Sequence, residues 1–467
     1  MKLRGSAAAA ASTVTVTDIT IDSREVRPGW MFCCVVGDHV DGHRFAADAV
    51  SNGATVLLVD HPLDIDVTQV VVADVRAATG WFAAAVQRHP ADHLLTIGVT
   101  GTNGKTTTAQ LIGDVLRYAG RSVDVYGTLT GRHTTPEAPE LQRRLAASRD
   151  AGTDSVVLEV SSHALALGRV NGAHFDVAVF TNLGRDHLDL HGTTERYFAA
   201  KARLFEAGLS DRGVVNTDDV HGRLLVDSSS IEIDTFTVTD LRNVSVDATQ
   251  HSYGWRGQQV RVGMGGAFNV SNSLAAAETC RAVGLAPELI AAGLASARPV
   301  PGRFEPIHAG QSFSVIVDYA HTPDGLREAL NAARATTDSR VLVVFGCGGD
   351  RDREKRPEMA VAAAEIADMI VVTSDNPRSE DPMAIIDAAV AGVPDDYRGT
   401  VVIEPDRRTA IAVAFADATE GDVVVIAGKG HETTQTIGFE VISFDDRVVA
   451  RELLAARDPA TGPDVSR

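Results

Sequence analysis

A glycine-rich segment with one lysine carries the strongest chemical signal in the sequence. An apolar stretch from Leu94 to Val99 precedes it, and a helical pattern from Thr106 to Tyr118 follows it. Where a strand passes through such a loop into a helix, backbone N–H groups converge on phosphate oxygens, and the lysine reaches the terminal phosphates. We therefore predict a nucleotide phosphate site, with Mg²⁺ at Thr106. The segment comprises Gly101, Thr102, Asn103, Gly104, Lys105, Thr106 and Thr107.

One position departs from the strict phosphate-loop pattern. That pattern places glycine five residues before Gly104, where this chain has Val99. An ordinary glycine turn between a strand and a helix would also fit the segment. The run Gly-Lys-Thr-Thr in this position favours phosphate binding over such a turn.

Polar residues follow two further apolar stretches. Glu159 ends the stretch that begins at Ser155, and His187 comes shortly after the stretch from Val177 to Asn182. A carboxylate near a phosphate loop is suited to holding the metal ion, whereas an ordinary strand-end acid faces solvent. Because ligands bind at the carboxyl ends of parallel strands, we expect Glu159 and His187 near the loop.

The elements that position these residues fall into three segments. The first, to residue 92, has strand patterns from Val14 to Ile21 and from Ala54 to Val59. The second alternates strands and helices around the glycine-rich loop. The third repeats this alternation, and each of its apolar strands leads into a glycine-rich or charged loop; these strands are 341–344, 369–372 and 423–426. Alternation of this kind predicts an α/β fold with parallel sheets.

Composition narrows the class of protein. The net charge is −19, from 43 basic and 62 acidic side chains, and no long basic run is present, so we expect no nucleic-acid partner. No apolar run approaches the roughly 20 residues that span a bilayer, so we expect no membrane partner. A reducing cytoplasm is expected because the four cysteines have neither metal-site nor disulfide spacing; they are Cys33, Cys34, Cys280 and Cys347.

Several motifs, taken in order, resemble those of the Mur ligases. The order and spacing hold from about Asp22 to Arg447, so nearly the whole chain is covered. The motifs are Gly-Thr-Asn-Gly-Lys-Thr-Thr at 101–107, Glu-Val-Ser-Ser-His at 159–163, Asn-Leu-x-Arg-Asp-His-Leu-Asp at 182–189, Ala-Lys-Ala-Arg-Leu-Phe at 200–205, Asn269 with Asn272, Gly-Arg-Phe-Glu at 302–305 and Asp-Tyr-Ala-His-Thr-Pro at 318–323.

Four further motifs are similar to those of the family members that add the third amino acid of a cell-wall peptide. They are Asp-Ser-Arg at 22–24, Thr-Thr-Pro at 134–136, Asp-Asn-Pro-Arg at 375–378 and Gly-Lys-Gly-His-Glu at 428–432. The resemblance implies an ATP-dependent ligase that adds meso-diaminopimelate to UDP-N-acetylmuramoyl-L-alanyl-D-glutamate through an acyl phosphate, in peptidoglycan precursor synthesis. We expect a cytoplasmic monomer that uses ATP and Mg²⁺.

The resemblance also implies an α/β fold of three domains. A small N-terminal α/β domain for the nucleotide-sugar substrate is expected at 1–92. A central P-loop ATPase-like parallel sheet that binds ATP is expected at 93–300. A C-terminal Rossmann-like domain that binds the amino acid is expected at 301–467.

Residue roles follow from the resemblance, position by position. Catalytic roles fall on Lys105, Lys201, His187 and Arg303. The metal ligands would be Thr106, Glu159, His187 and Lys201, the last as a carbamate, although a lysine in a helix from Tyr197 to Phe205 is ordinarily a surface residue. ATP would contact Gly101 to Thr107 together with Asn269, Asn272, Arg303 and Asp318.

The substrate contacts implied by the resemblance form two groups. The UDP-linked dipeptide would contact Ser23, His39, Thr134, Thr135, Ser161 and Arg169. The amino acid would contact Arg351, Asp375, Asn376, Arg378, Gly428 and Glu432. A bidentate arginine at 378 would bind the carboxylate that distinguishes diaminopimelate from lysine, whereas a surface arginine would pair with Glu380 or Asp381.

Three other functions remain open at this point. The same ligation could use L-lysine, or the chain could be an amide ligase similar to the folylpolyglutamate synthetases. It could also be a nucleotide-binding homologue without catalysis. That last function predicts disruption of Lys105, Glu159, His187 or Lys201, and all four are present.

Overall fold

The computed structural model describes residues 2–4, 14–37, 40–131, 133–184 and 186–457. The chain divides into two compact units. The first comprises Met1–Leu183, His187–Thr237 and Ala275–Ile290, and the second comprises Gly184–Asp186, Val238–Leu274 and Ala291–Arg467. Across the described residues, no helix has both the length and the apolar character needed to cross a membrane.

A five-stranded sheet lies at the start of the first unit. Its elements are β1 (Lys2–Arg4), β2 (Asp18–Thr20), β3 (Trp30–Cys33), α1 (Ala46–Ser51), β4 (Val56–Val59), β5 (Thr68–Val71) and α2 (Val75–Val86). The strand order is β1-β5-β4-β3-β2, with β1 antiparallel to β5 and the other pairs parallel. Strand β2 is shorter than the strand predicted from Val14 to Ile21, because only Asp18 to Thr20 pair with β3.

A six-stranded parallel sheet follows. Its elements are β6 (Leu95–Thr100), α3 (Lys105–Tyr118), β7 (Val123–Tyr126), α4 (Ala138–Asp150), β8 (Ser155–Glu159), α5 (Ser162–Ala166), β9 (Phe175–Phe180), α6 (Leu188–His191), α7 (Thr194–Ala202), β10 (Ser210–Asn216), α8 (Val220–Ser228) and β11 (Glu232–Phe236). The order is β11-β10-β9-β6-β8-β7. The chain places β7 and β8 on one side of β6 and then β9 on the other side. The loop after β6 therefore lies at the switch point, where parallel sheets bind ligands.

Three antiparallel strands and two helices come next. They are β12 (Arg242–Val246), β13 (His251–Trp255), β14 (Gln258–Val262), α9 (Ala267–Ala282) and α10 (Pro287–Ser296). Helix α9 begins at Ala267, two residues before Asn269. It therefore includes both asparagines of the motif at 269–272.

The second unit contains another six-stranded sheet. Its elements are β15 (Glu305–Pro306), β16 (Ser314–Asp318), α11 (Pro323–Arg334), β17 (Val341–Phe345), α12 (Lys355–Ala364), β18 (Met369–Val372), α13 (Pro382–Val390), β19 (Thr400–Ile403), α14 (Arg407–Asp417), β20 (Val423–Ala427), β21 (Thr434–Ile437), β22 (Glu440–Ser443) and α15 (Asp446–Arg457). The order is β15-β16-β20-β17-β18-β19, parallel except at β15, and β21 and β22 form a separate hairpin. The predicted parallel sheets are confirmed.

Candidate active site

The glycine-rich loop after β6 is held by its own backbone. Gly104 precedes α3 with a φ of +84°, a conformation that favours glycine. The N–H groups of Thr102 and Asn103 donate to the main-chain and side-chain oxygens of Asn182, both at 2.9 Å. The loop therefore has a fixed path at the N-terminus of α3, where the helix dipole favours an anion.

Two lysine side chains meet one carbonyl of this loop. Lys105 donates from Nζ to the carbonyl oxygens of Gly101 and Thr102, each at 2.8 Å. Lys201, on α7, donates from Nζ to the same Gly101 oxygen at 2.7 Å. The Lys201 side chain is buried rather than at the surface, and its Nζ lies 4.5 Å from the ring centre of Tyr197. The structure thus brings the two predicted catalytic lysines together.

The carboxylate that ends β8 lies beside the same loop. Thr106 donates from Oγ1 to Glu159 Oε2 at 2.8 Å, and the Thr128 N–H donates to Oε1 at 2.9 Å. Glu159 is buried, and a side chain at Gly127 would lie within 2.0 Å of its Oε1. A buried hydroxyl and carboxylate in contact provide the oxygen donors that Mg²⁺ prefers, so these residues fit the expected metal site.

Three histidines pack together beside Tyr197, a residue that contacts the glycine-rich loop. The ring centres of His163 and His187 are 4.6 Å apart, and those of His163 and His191 are 5.9 Å apart. Tyr197 packs against His191 at 5.2 Å, and its hydroxyl lies 3.0 Å from Thr102 Oγ1. His187 has a φ of +53°, which is uncommon for a non-glycine residue. Strain of this kind is often found at functional sites.

Most residues expected to contact the dipeptide form one network beside Glu159. Thr135 donates from Oγ1 to the main-chain oxygen of Glu159 at 2.8 Å and accepts from the Ser161 N–H at 3.0 Å. Arg169 donates to the Thr135 carbonyl at 3.2 Å and pairs with Glu137 at 2.6 Å. Thr134 joins the network through Thr128, because their Oγ1 atoms are 3.1 Å apart. The structure therefore brings Thr134, Thr135, Ser161 and Arg169 together.

One predicted contact, Ser23, lies in the N-terminal sheet region. Ser23 follows β2, and its carbonyl accepts a hydrogen bond from Asn52 Nδ2 at 3.0 Å. Beside it, Arg24 and Asp22 form an exposed ion pair at 2.6 Å. His39 lies outside the described residues.

The residues expected to bind ATP in the second unit form two pairs. Asn272 donates from Nδ2 to Asn269 Oδ1 at 3.0 Å, so both amides lie on one face of α9. Asp318, at the end of β16, accepts from the Phe304 N–H at 2.7 Å. Burial raises the pKa of Asp318, and the charge of nearby Arg303 acts in the opposite direction. Arg303 and Asp318 are therefore electrostatic neighbours.

Tyr319 lies between Arg303 and the residues expected to bind the amino acid. The Arg303 guanidinium is 4.4 Å from the centre of the Tyr319 ring. Burial raises the pKa of Tyr319, and the carboxylates of Glu432 and Asp375 raise it further. Burial also lowers the pKa of His431 to about 4, with the charge of Arg303 acting in the same direction. His431 is therefore neutral at physiological pH.

Four of the predicted amino-acid contacts form a connected cluster at the ends of β18 and β20, which we call the amino-acid pocket. Asn376 donates from Nδ2 to Asp375 Oδ1 at 3.0 Å and to Glu432 Oε2 at 2.8 Å. Gly428 has a φ of +113°, and a side chain there would lie 2.8 Å from Asp375 Oδ2. Close approach and backbone conformation both require glycine at this position.

Arg378 lies at the rim of this pocket. It has a φ of +53° and donates from Nη1 to the Gly349 carbonyl at 2.7 Å. Glu380 pairs with Arg353 and Arg356, at 3.0 and 2.8 Å, so it does not serve as the surface partner considered for Arg378. The exposed side chain of Arg351 lies in the loop after β17, and a Cβ at Gly348 in that loop would lie 3.1 Å from Arg378 Nη1 and 3.6 Å from Arg351 Cγ.

The hairpin of β21 and β22 supports this pocket and was not predicted. The Thr436 N–H donates to Asn376 Oδ1 at 2.9 Å, and its carbonyl accepts from the Arg378 N–H at 3.0 Å. Gln435 donates from Nε2 to the Asp375 carbonyl at 2.7 Å. The hairpin therefore contacts all three polar residues of the Asp-Asn-Pro-Arg motif, Asp375 and Arg378 through the backbone and Asn376 through its side-chain amide.

A buried ion pair lies behind the same strand ends. Arg407 and Asp446 are 2.7 Å apart, and both side chains are fully buried. Arg407 also donates to the carbonyls of Ser374 and Ala427, at 3.3 and 2.9 Å. The pair joins the ends of β18 and β20 immediately before Asp375 and Gly428.

Sequence reasoning missed some residues that contact the predicted ones. Tyr197, Thr128 and Gln435 were not singled out, although each contacts a predicted residue directly. Their residue types are common in ordinary cores and turns, so one sequence gives no local signal for them. The contacts arise from chain segments that are distant in sequence.

Comparisons with known proteins agree with this arrangement. The family domains that match are the Mur ligase family catalytic domain over residues 15–92, the Mur ligase middle domain over 99–280 and the Mur ligase glutamate ligase domain over 302–430. One relative is a protein from Geobacillus thermodenitrificans (strain NG80-2) named UDP-N-acetylmuramoyl-L-alanyl-D-glutamate–2,6-diaminopimelate ligase. It is 46% identical over an alignment of 468 positions, and the alignment covers 95% of each chain.

Two solved structures share the fold. A structure of a UDP-N-acetylmuramoyl-L-alanyl-D-glutamate–2,6-diaminopimelate ligase is 33% identical, has a TM-score of 0.68 and covers 94% of this chain and 95% of its own. The MurF ligase from Thermotoga maritima in complex with ADP is 20% identical, has a TM-score of 0.63 and covers 95% and 97%. The second likeness concerns the fold alone.

Proposed function

Because this chain belongs to the Mur ligase family, we propose that it joins meso-diaminopimelate to UDP-N-acetylmuramoyl-L-alanyl-D-glutamate with hydrolysis of ATP. The family membership and the three-domain α/β fold predicted from the motifs are confirmed. The observation that carries the proposal is the 46% identity, over 95% of both chains, to a ligase of that name. The pocket around Asp375, Asn376 and Glu432 supports the choice of amino acid.

The reaction has two steps. A carboxylate oxygen of the dipeptide attacks the γ-phosphorus of ATP, ADP leaves, and an acyl phosphate forms. The amine of the amino acid then attacks the acyl carbon, loses a proton, and expels phosphate with the bonding electron pair as the amide forms. Phosphoryl transfer depends mainly on positioning and on neutralising charge.

Residues of the first unit would carry out the activation. Lys105 would exchange the carbonyl oxygens of Gly101 and Thr102 for phosphate oxygens, and the N–H groups at the N-terminus of α3 would donate to the same phosphates. Mg²⁺ would be held by Thr106, Glu159 and His187, with Lys201 as its carbamate, and it would neutralise phosphate charge. The contact of Thr106 Oγ1 with Glu159 Oε2 supports this assignment.

The network at Thr135 is suited to the dipeptide. Thr134, Thr135, Ser161 and Arg169 offer hydroxyls and a guanidinium beside the carboxylate that would hold the metal ion. Ser23 and His39 would contact the uridine end of the substrate. In the second unit, Asn269 and Asn272 would contact ATP, and Asp318 would act with Arg303 near the transferred phosphate.

Amino-acid selection would fall on Arg378. Its planar guanidinium binds a carboxylate with two parallel hydrogen bonds, which an exposed lysine cannot reproduce. Asp375, Asn376 and Glu432 supply acceptors for the adjacent ammonium group, with Gly428 beside them and Arg351 at the rim. L-Lysine has the ammonium group but lacks the carboxylate, so this pocket favours diaminopimelate.

The division of labour follows the three segments. Residues 1–92 would bind the UDP substrate, residues 93–300 would bind ATP, and residues 301–467 would bind the amino acid. The four cysteines are buried and none forms a disulfide, which supports a reducing cytoplasm. We expect a monomer without a nucleic-acid or membrane partner.

A phosphate-release assay tests the proposal. The purified protein is given ATP, Mg²⁺ and UDP-N-acetylmuramoyl-L-alanyl-D-glutamate, with meso-diaminopimelate or L-lysine as the variable component. We expect release that needs the dipeptide and the amino acid and is faster with diaminopimelate. Equal rates, or preference for L-lysine, would overturn the amino-acid assignment. Release with a folate substrate instead would overturn the nucleotide-substrate assignment.

A further inference from the structure

Lysine is scarce in this chain, and one of the few lysines is buried beside the amino-acid pocket. Five of the 43 basic side chains are lysines, at positions 2, 105, 201, 355 and 429. Lys105 and Lys201 belong to the proposed phosphate site. Lys429 has no role in that site, yet its side chain is fully buried. Burying an ammonium group costs free energy unless it is paired and hydrogen-bonded, so its contacts indicate its role.

Lys429 and Asn376 both donate to one carboxylate oxygen of Glu432. Its Nζ donates to Glu432 Oε2 at 3.0 Å and to the Thr434 carbonyl at 2.7 Å. Asn376 donates from Nδ2 to the same Oε2 at 2.8 Å. The Glu432 side chain is 33% exposed, and Oε1 accepts no hydrogen bond from the part of the chain that the structure describes. One oxygen of Glu432 is thus held from behind, and the other is available to a ligand.

We propose that Lys429 is a positioning residue for the amino-acid pocket. It holds Glu432 Oε2 so that Oε1 accepts a hydrogen bond from an ammonium group of the incoming diamino acid. This inference rests on the proposed function and adds to it, because Lys429 itself touches no substrate. Its effect on the reaction passes through Glu432.

Electrostatics gives Lys429 a second reason to be present. Asn376 Nδ2 donates to both Asp375 Oδ1 and Glu432 Oε2, so two carboxylates approach one amide nitrogen. Like charges at this separation repel each other, and the ammonium of Lys429 offsets that repulsion. Without it, Glu432 would turn away from Asp375 and lose its orientation.

The choice of lysine over arginine fits this geometry. An ammonium is a compact charge with three donors, whereas a guanidinium is planar and larger. The space around Lys429 Nζ is bounded by Glu432 and the start of β21. In a chain whose basic residues are mostly arginine, a buried lysine here indicates that a compact donor is needed.

A double-mutant cycle tests the proposal on the full-length protein. The variants are Lys429→Met, Glu432→Gln and the two combined, with Arg408→Met as a control because Arg408 pairs with Glu452 in an exposed ion pair of the same unit. We expect Lys429→Met to raise KM for meso-diaminopimelate by about tenfold to a hundredfold while KM for ATP stays unchanged. In the Glu432→Gln background, the same substitution should add little. The control should match the wild type.

Other outcomes decide against the proposal. An unchanged KM for the amino acid in Lys429→Met, or independent effects that multiply in the double variant, would overturn it. Loss of acyl-phosphate formation, measured by borohydride reduction without amino acid, would show a general structural role and would also overturn it. If Lys429→Met does not fold, recovery of folding in the double variant supports direct coupling, and failure there contradicts it. A wild type that transfers no amino acid would instead refute the proposed function.

Discussion

In the phosphate loop two ammonium groups, those of Lys105 and Lys201, donate to the carbonyl of Gly101, whereas in the amino-acid pocket the polar groups are held by other side chains. The hairpin of β21 and β22 donates to Asn376, and both Asn376 and Lys429 donate to Glu432. The first region holds Lys105 with carbonyl contacts that a phosphate could replace. The second region holds its acceptors in place before a ligand arrives.

The difference suggests how the two regions divide the work. In the proposed function, phosphate oxygens would compete with the loop carbonyls for Lys105, and this region would exchange partners during the reaction. A preorganised pocket instead discriminates between ligands, because its buried polar groups would lose partners with the wrong ligand. Substitutions in the loop should therefore lower kcat, and substitutions in the pocket should raise KM for the amino acid.

The largest expected effect is that of Lys105→Met. In the proposed function this variant would remove the charge that neutralises the transferred phosphate, so we expect turnover to fall by a factor of about ten thousand. Phosphate release under saturating substrates measures it, and thermal unfolding checks that the variant is folded. A reduction below tenfold would exclude Lys105 from the phosphate site and remove the contrast between the regions.

Asp446→Asn tests the support of the pocket. It leaves Arg407 buried without its carboxylate, so we expect a loss of about 3–5 kcal/mol in the free energy of unfolding. Urea denaturation measures the change. The matched control Glu452→Gln breaks the exposed pair with Arg408 and should cost less than about 1 kcal/mol. Similar costs for the two variants would contradict the role of the buried pair.

Arg378→Ala tests selection directly. Loss of a bidentate carboxylate contact should raise KM for meso-diaminopimelate by about tenfold to a hundredfold, with little change in KM for ATP. Steady-state kinetics with both amino acids measures it, and the preference over L-lysine should shrink. Arg378→Lys keeps the charge but not the planar fork, and it should resemble the alanine variant. An unchanged preference in both variants would exclude this role for Arg378.

A further prediction concerns pH and a histidine that contacts α9 beside the asparagines proposed to contact ATP. His251 is 2.8 Å from Ser273 on α9, and burial lowers its pKa to about 4. Because the unfolded chain binds a proton at the ordinary pKa of 6.5, the stability from neutral His251 is complete above that pH and is lost as pH falls toward 4. Between pH 7 and pH 5 we expect a loss of about 2 kcal/mol.

Urea unfolding at several pH values measures this dependence. His251→Gln lacks the titrating group, so its free energy of unfolding should depend less steeply on pH in this interval. The difference between wild type and variant isolates His251 from other groups, including His431, whose pKa is lowered in the same direction. Parallel curves would show that His251 does not titrate as described.

Sequence patterns predicted the strand, the glycine-rich loop and the helix that follows it because these signals are local. The strand β6, the glycine-rich loop and α3 are adjacent in the chain, and Glu159 closes an uninterrupted apolar strand. The burial of Lys201 could not be predicted from the sequence, because α7 is short and its position depends on packing against the loop. No spacing within α7 shows that Lys201 meets Gly101.

The supports of the amino-acid pocket could not be predicted in the same way. The strands β21 and β22 are short and largely exposed, so they lack the apolar alternation that identifies a strand. The partners of Arg407 come from Ser374, Ala427 and Asp446, which are far apart in sequence. The motif at 375–378 indicated a ligand, but its scaffold is defined by tertiary contacts.

Reductive trapping of the acyl phosphate tests the central claim most directly. Wild type, Lys105→Met and Arg378→Ala are each incubated with ATP, Mg²⁺ and the UDP-linked dipeptide without amino acid, then reduced with borohydride. We expect trapped product at wild-type levels for Arg378→Ala and almost none for Lys105→Met. Loss of the trapped product in Arg378→Ala, or its persistence in Lys105→Met, would contradict the division between an activating loop and a selecting pocket.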